Sequence, residues 1–264
     1  MKKYYLILKL GWQKTLQYRF NFFLRQMRGL ITVFILYFLY TAIFTKESVL
    51  FGFDHTKIVT YVLLSSILFS FVFQYSMNAI ADSISSGEIS KLLLKPINFF
   101  WFYFFRFLSE RLLNAFFAVI NILLFYILIK PTLYVQTDIK QLGVFFLAVV
   151  LSIFLFSLME MTAGLSAFWM TNAFGPRFLF IQIVEVISGR YFPIQMLPPV
   201  FSFILKILPL GYIMFFPLNI YFGLTSPSEN LLSFAILLIW IVLLAKFFKF
   251  VWKRGLKVHG AYGG

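Results

Sequence analysis

Two carboxylates stand in stretches that are otherwise apolar. Glu160 lies in Ser157-Leu158-Met159-Glu160-Met161-Thr162, and Glu185 in Ile181-Gln182-Ile183-Val184-Glu185-Val186-Ile187. A charge at the centre of a membrane helix costs about 3 kcal/mol, while each Leu or Phe returns about 0.5, so roughly six apolar residues offset one carboxylate. Such groups face a bundle interior or a wet cavity, which makes Glu160, Glu185 and the neighbouring Gln182 candidates for lining a pathway. The plainer readings are that Glu160 sits near a membrane interface and that Glu185 pairs with Arg177 or Arg190. Asn114, Asn121 and Gln182 also suit hydrogen bonding between helices. Groups able to make or break bonds are scarce. There is no G-x-x-x-x-G-K-[ST] to cradle a nucleotide, no H-E-x-x-H and no G-x-S-x-G. Cysteine is absent, and His55 and His259 fall on segments expected on opposite sides of a membrane, so metal and thiolate chemistry lack ligands. The chain itself is expected to hold no cofactor and to catalyse nothing.

A second constellation lies between apolar stretches, in Ser83-Ile84-Ser85-Ser86-Gly87-Glu88-Ile89-Ser90-Lys91-Leu92-Leu93-Leu94-Lys95-Pro96. Ser85 and Glu88 have the spacing of a capping box, in which hydroxyl and carboxylate reciprocally satisfy the first N–H groups of a helix. Pro96 stops that helix, because the residue before a proline resists helical backbone. The spacing predicts a helix of about two turns. Leu92, Leu93 and Leu94 would meet water unless a partner protein, the chain's own bundle or lipid covers them.

Composition sets the elements that must position these residues. The chain is 61% hydrophobic and 12% charged with a mean hydropathy of +0.90. Those proportions set a soluble domain aside. Its net charge of +14 is concentrated at the two ends rather than in one stripe. That placement favours membrane topology and anionic lipid over nucleic acid. Residues 1–28 carry seven cations and residues 246–264 five, with no acid in either stretch. Cationic flanks stay cytosolic, so both termini belong there and the number of crossings is even. Residues 4–27 hold too many charges to span. Leu8, Trp12, Leu16 and Phe20 recur along one helical face, predicting an interfacial helix with Trp12 and Tyr18 at headgroup depth.

Crossings are expected at 29–44, 58–79, within 99–129 (with Glu110 near Arg106), and from 142 toward 169. Residues 178–224 contain five prolines and three glycines, too many breaks for one uninterrupted span. The cations after 231–244 require an odd number of crossings before it. The fifth is then either 178–187, with 200–224 dipping in and returning, or 200–224 itself; the first is favoured. Residues 188–224 would form a broken pair of short helices entering from the outer face, sheltered by neighbours. The expected fold is all-α, a single polytopic domain over 1–264 with about six transmembrane helices.

The order of these features resembles the membrane subunit of an ABC exporter of the ABC-2 type, in a poorly characterised bacterial subfamily. The likeness rests on Leu16-Gln17-Tyr18-Arg19-Phe20-Asn21-Phe22, the Gly87-Glu88-Ile89…Lys95-Pro96 element, Gly189-Arg190-Tyr191-Phe192-Pro193…Leu197-Pro198 followed by Leu208-Pro209, and the tail Arg254-Gly255-Leu256-Lys257…Gly263-Gly264. It implies a bacterial inner-membrane protein working with two copies of a P-loop ATPase, which hold the ATP and Mg, and with a second permease subunit, identical or different. Residues 4–27 would match a connecting helix and 83–95 a coupling helix, with Ser85, Ser86, Gly87, Glu88, Ile89, Lys91, Leu92 and Leu93 meeting the ATPase. Residues 188–224 would match external re-entrant helices, with Gly189, Pro193, Pro198 and Pro209 at the gate. Two other classes fit parts of the pattern: an ion-coupled transporter using Glu160 or Glu185, and a membrane-embedded lipid-modifying enzyme.

Overall fold

The computed structural model describes residues 2–17, 19–44, 49–73, 76–170 and 174–261. Among these residues the chain is helical, with only an isolated bridge between Leu50 and Phe53. The described α-helices follow one another as α1 Lys2–Gln17, α2 Arg19–Ile43, α3 His55–Val72, α4 Ser76–Ser85, α5 Glu88–Leu93, α6 Phe99–Ile129, α7 Ile139–Gly164, α8 Phe174–Ile187, α9 Pro199–Ile207, α10 Phe215–Tyr221 and α11 Pro227–Ala261.

Capping residues fix where the long helices begin. Asp54 accepts the Lys57 N–H, Asn98 the Trp101 N–H and Asp138 the Lys140 N–H, each satisfying an otherwise orphaned donor. Before α11, Ser226 Oγ accepts from Glu229 N while Glu229 Oε2 accepts from Ser226 N, a complete capping box. The box expected at Ser85 and Glu88 does not form. Ser85 is still the last residue of α4, and Gly87, at φ +73°, provides the left-handed step into α5. Glycine takes that conformation without the clash a Cβ would bring.

Among the described residues, five stretches are long and apolar enough to cross a bilayer: Phe22–Ile43, His55–Ser85, Phe99–Ile129, Ile139–Phe168 and Pro227–His259. The fifth crossing expected at 178–187 lies within α8, which has 14 residues. A helix of that size reaches only about 21 Å, less than the roughly 30 Å hydrocarbon core. The chain still travels between the two ends of the bundle here. Phe168 packs on Gly255 near the end of α11, whereas Gly189 receives the Tyr61 hydroxyl near the start of α3. α8 and the turn after it make that passage.

The described residues of the stretch 4–27 fall in α1 and α2, with Phe20 in α2; Tyr18 lies outside the described residues. α1 packs on α6 at Gly11, where a Cβ would overlap Ser109 Oγ and lie 2.8 Å from the Arg106 carbonyl oxygen, and Trp12 is exposed. The crossing expected at 58–79 is interrupted, since Phe73 has extended backbone (φ −83°, ψ 129°) and ends α3.

The ends of the bundle are chemically distinct. At one, Ser90 Oγ lies 3.2 Å from His259 Nε2, and Phe99 packs on Trp252 with ring centroids 4.0 Å apart. This basal end gathers α1, α5, the start of α6 and the cationic end of α11. The opposite, distal end carries the α6–α7 connection and residues 188–226. The core between them is built from α3, α4, α7 and α10, with Ile58, Met77, Leu155 and Leu218 fully buried.

Candidate functional site: a broken helix, two buried ion pairs and a basal helix

Glu160 faces the break in the second crossing. Its Oε1 accepts the backbone N–H groups of Ser76 and of Met77, the latter at 3.4 Å. These are the first donors of α4, which no preceding helical turn can satisfy. The same carboxylate approaches Arg111 of α6, with Nη2 and Oε2 3.9 Å apart, and Arg111 Nη1 donates to Ser157 Oγ at 2.8 Å. Arg111 and Glu160 are 1% and 0% exposed, so this charge pair is wholly internal. One side chain on α7 thereby ties α4 and α6 together. Close packing supports the joint, because a Cβ at Gly164 would lie 2.9 Å from the Met77 carbonyl oxygen.

Glu185, fully buried on α8, receives Arg190 Nη1 at 2.5 Å and the Tyr191 hydroxyl at 3.1 Å. The Arg190 guanidinium also covers the Phe69 ring, 3.2 Å from its centroid. That cation–π contact offsets part of the guanidinium's desolvation. Of the partners foreseen for Glu185, this geometry selects Arg190. Glu160 and Glu185 occupy separate polar clusters. Gln182 is half-buried one turn before Glu185 and belongs to neither ion pair. Asn121 donates to the Gln26 side-chain oxygen at 3.2 Å, and Gln26 donates to Asn114 at 3.3 Å, so these amides do bond between helices.

The segment 188–224 is broken as its prolines dictate. Pro193 precedes a short 3-10 turn, Pro198 and Pro199 open α9, and Pro209 opens another 3-10 turn. Side chains from the bundle satisfy the carbonyls that these breaks release. Tyr61 donates to Gly189 O and, at 3.1 Å, to Phe192 O; Ser152 donates to Tyr212 O at 2.7 Å, and Trp240 Nε1 to Ile207 O at 2.7 Å. Gly189 adopts φ +94° with Tyr61 and Phe215 against it. Both the conformation and the space suit glycine alone. The two limbs differ. α10 is buried from Phe215 to Ile220, whereas α9 exposes Val200, Phe201, Phe203 and Ile204, so only the second limb is sheltered.

α5 stands at the basal end. Ile89 is fully buried and Leu92 packs against the core, while Ser85, Ser86, Glu88, Lys91 and Leu93 face outward. Leu94 is 88% exposed, the most prominent apolar side chain of the segment. The bundle therefore covers Leu92 of the expected leucine triplet and leaves the other two open. Gly87 joins α5 to α4, so the exposed surface, α4 and the joint at Glu160 form one continuous path.

A family model described as ABC-2 family transporter protein matches residues 30–263. The chain belongs to the ABC-2 family of transporter proteins, a family of membrane transport subunits generally not catalytic themselves. No curated protein and no solved structure matches it.

The Glu160 joint was hidden from sequence reasoning. No Pro or Gly occurs between Leu68 and Ala79, and Arg111 lies 49 positions from its partner. The available signal was Glu160 alone in an apolar stretch of α7 and two cations, Arg106 and Arg111, beside one acid, Glu110, on α6, since a buried ion must find a counter-ion.

Proposed function

We propose that this chain is the membrane-spanning permease subunit of an ATP-driven exporter in the bacterial inner membrane, with both termini cytosolic. Two copies of a separate P-loop ATPase bind ATP and Mg and supply the work. A second permease, identical or different, completes the pathway. The observation that carries this reading is the continuity from the outward face of α5, through α4, to the interruption at Phe73 that Glu160 caps. α5 is the docking helix in this account, with Ser85, Ser86, Gly87, Glu88, Lys91 and Leu93 presented to the ATPase and Ile89 and Leu92 anchoring it. ATPase closure displaces α5 and α4 together, and the joint lets that movement reach α3 as a change of angle. The segment 188–224 closes the outer end, its position held by the Tyr61 and Ser152 bonds.

Arginine pairing of both Glu160 and Glu185 supports structural carboxylates over the proton carrier that an ion-coupled transporter would need. The test is deletion of 86–94, or Glu88→Arg, followed by co-purification with a candidate P-loop ATPase. The expected result is loss of the ATPase from the complex while the membrane subunit still folds. Undiminished ATPase binding overturns the assignment of α5.

A further inference from the structure

A cavity of about 150 Å³ with a mixed polar and apolar lining opens between α2, α3 and α6. Arg25, Arg28 and Arg190 line it, together with the Gln26–Asn114 amide pair and the apolar walls of Val33, Phe69 and Ile122. Arg190 is buried and already neutralised by Glu185. Arg25 and Arg28 are exposed, and neither forms an ion pair with a described acid. The cavity therefore carries uncompensated positive charge.

Its hydroxyls cannot supply the donors an anion needs. Thr32, Ser66 and Ser70 each donate to the carbonyl one turn back in their own helix, at 2.9, 2.9 and 3.0 Å. The guanidinium forks of Arg25 and Arg28 supply donors instead, and such forks bind phosphate bidentately. α2 ends distally at Ile43. At about 1.5 Å per residue, Arg25 and Arg28 lie about 27 and about 22 Å from that end. In a hydrocarbon core of about 30 Å these two arginines lie in the basal half, while Arg190 lines the cavity from the segment that follows α8. A ligand there meets two guanidinium groups without a carboxylate partner among the described residues, Arg25 lying 5.9 Å over the Phe22 ring, beside an apolar wall.

We infer that this cavity holds the anionic headgroup of an amphiphile, a phosphate or a comparable oxyanion, with its chain along Val33, Phe69 and Ile122. The site goes beyond the proposed transport role and needs no ATPase. A failed co-purification and a failed lipid-binding test would therefore be separate results.

The experiment is native mass spectrometry of the full chain in detergent, with phosphatidylglycerol and phosphatidylcholine of identical acyl chains. The intact protein should retain the anionic lipid preferentially, and Arg25→Gln/Arg28→Gln should reduce that retention by about tenfold or more. Arg25→Lys/Arg28→Lys, which keeps the charge but loses the fork, should fall between. Lys246→Gln/Lys253→Gln removes the same charge from α11 and should change retention by less than about twofold. Equal loss in the α11 variant, or a preference undisturbed by the double arginine substitution, overturns the site. So does displacement of the lipid by inorganic phosphate alone, which would reassign the arginines to a free anion. A matching melting temperature for each variant separates lost binding from lost folding.

Discussion

Glu160 and Glu185 are both fully buried and both face an arginine, yet they do different things for the molecule. Glu185 closes a local loop. Its partners, Arg190 and Tyr191, follow it closely in sequence and fix the turn that leads from α8 to Gly189. Glu160 reaches across the fold to Arg111 on α6 and to the first N–H groups of α4. One carboxylate shapes a turn; the other holds three helices in register. A buried charge in a membrane protein is thus no uniform sign of a pathway, because its partners' distance in sequence decides whether losing it disturbs a turn or an assembly.

The comparison can be broken most directly at Glu160. Glu160→Ala should destabilise the purified subunit by about 3–5 kcal/mol, since it leaves Arg111 buried and uncompensated as well as two backbone donors unsatisfied. Thermal unfolding in detergent reads this out. If the charge is the larger part, Arg111→Met/Glu160→Leu should recover more than half of that loss, as paired removal eliminates the orphaned ion. Glu185→Ala should cost less, about 1–3 kcal/mol in the same assay, because Arg190, though deprived of its counter-ion, keeps its contact with Phe69. A cost for Glu185→Ala equal to that of Glu160→Ala would abolish the contrast between local and long-range partners. Ser157→Ala, which removes an acceptor from Arg111, should cost about 1 kcal/mol. Tyr191→Phe removes one partially exposed bond to Glu185 and should cost no more than about 1 kcal/mol.

The helices themselves were legible because hydrophobic length is a local property. Residues 99–129 and the 142–169 region read from sequence as crossings and are continuous helices, the second ending in a 3-10 turn. The breaks in 188–224 were equally plain, since proline cannot donate its missing N–H. Ser85 and Glu88 show the limit of spacing alone. The same S-x-x-E pattern occurs at Ser226 and Glu229, and of these two it closes only there. Pro227 suits a first helical position, whereas Gly87 takes left-handed backbone between Ser85 and Glu88. The joint at Phe73 was illegible for another reason. Nothing in its own sequence breaks the helix, and what stabilises the break is a carboxylate contributed by α7.

α11 runs unbroken for 35 residues, from the distal connection to beside α5. At helical rise that is about 52 Å. A rod of fixed length that touches both ends of its own molecule is an internal ruler. The chain contains no cysteine, so paired spin labels can be introduced at will without removing native thiols. Leu231 and Phe250 are both exposed on this rod. Labels there should hold a constant separation of about 28 Å in every state of the protein. Against that fixed scale, a second pair from Phe250 to Leu94 would report the travel of α5 directly, in ångströms.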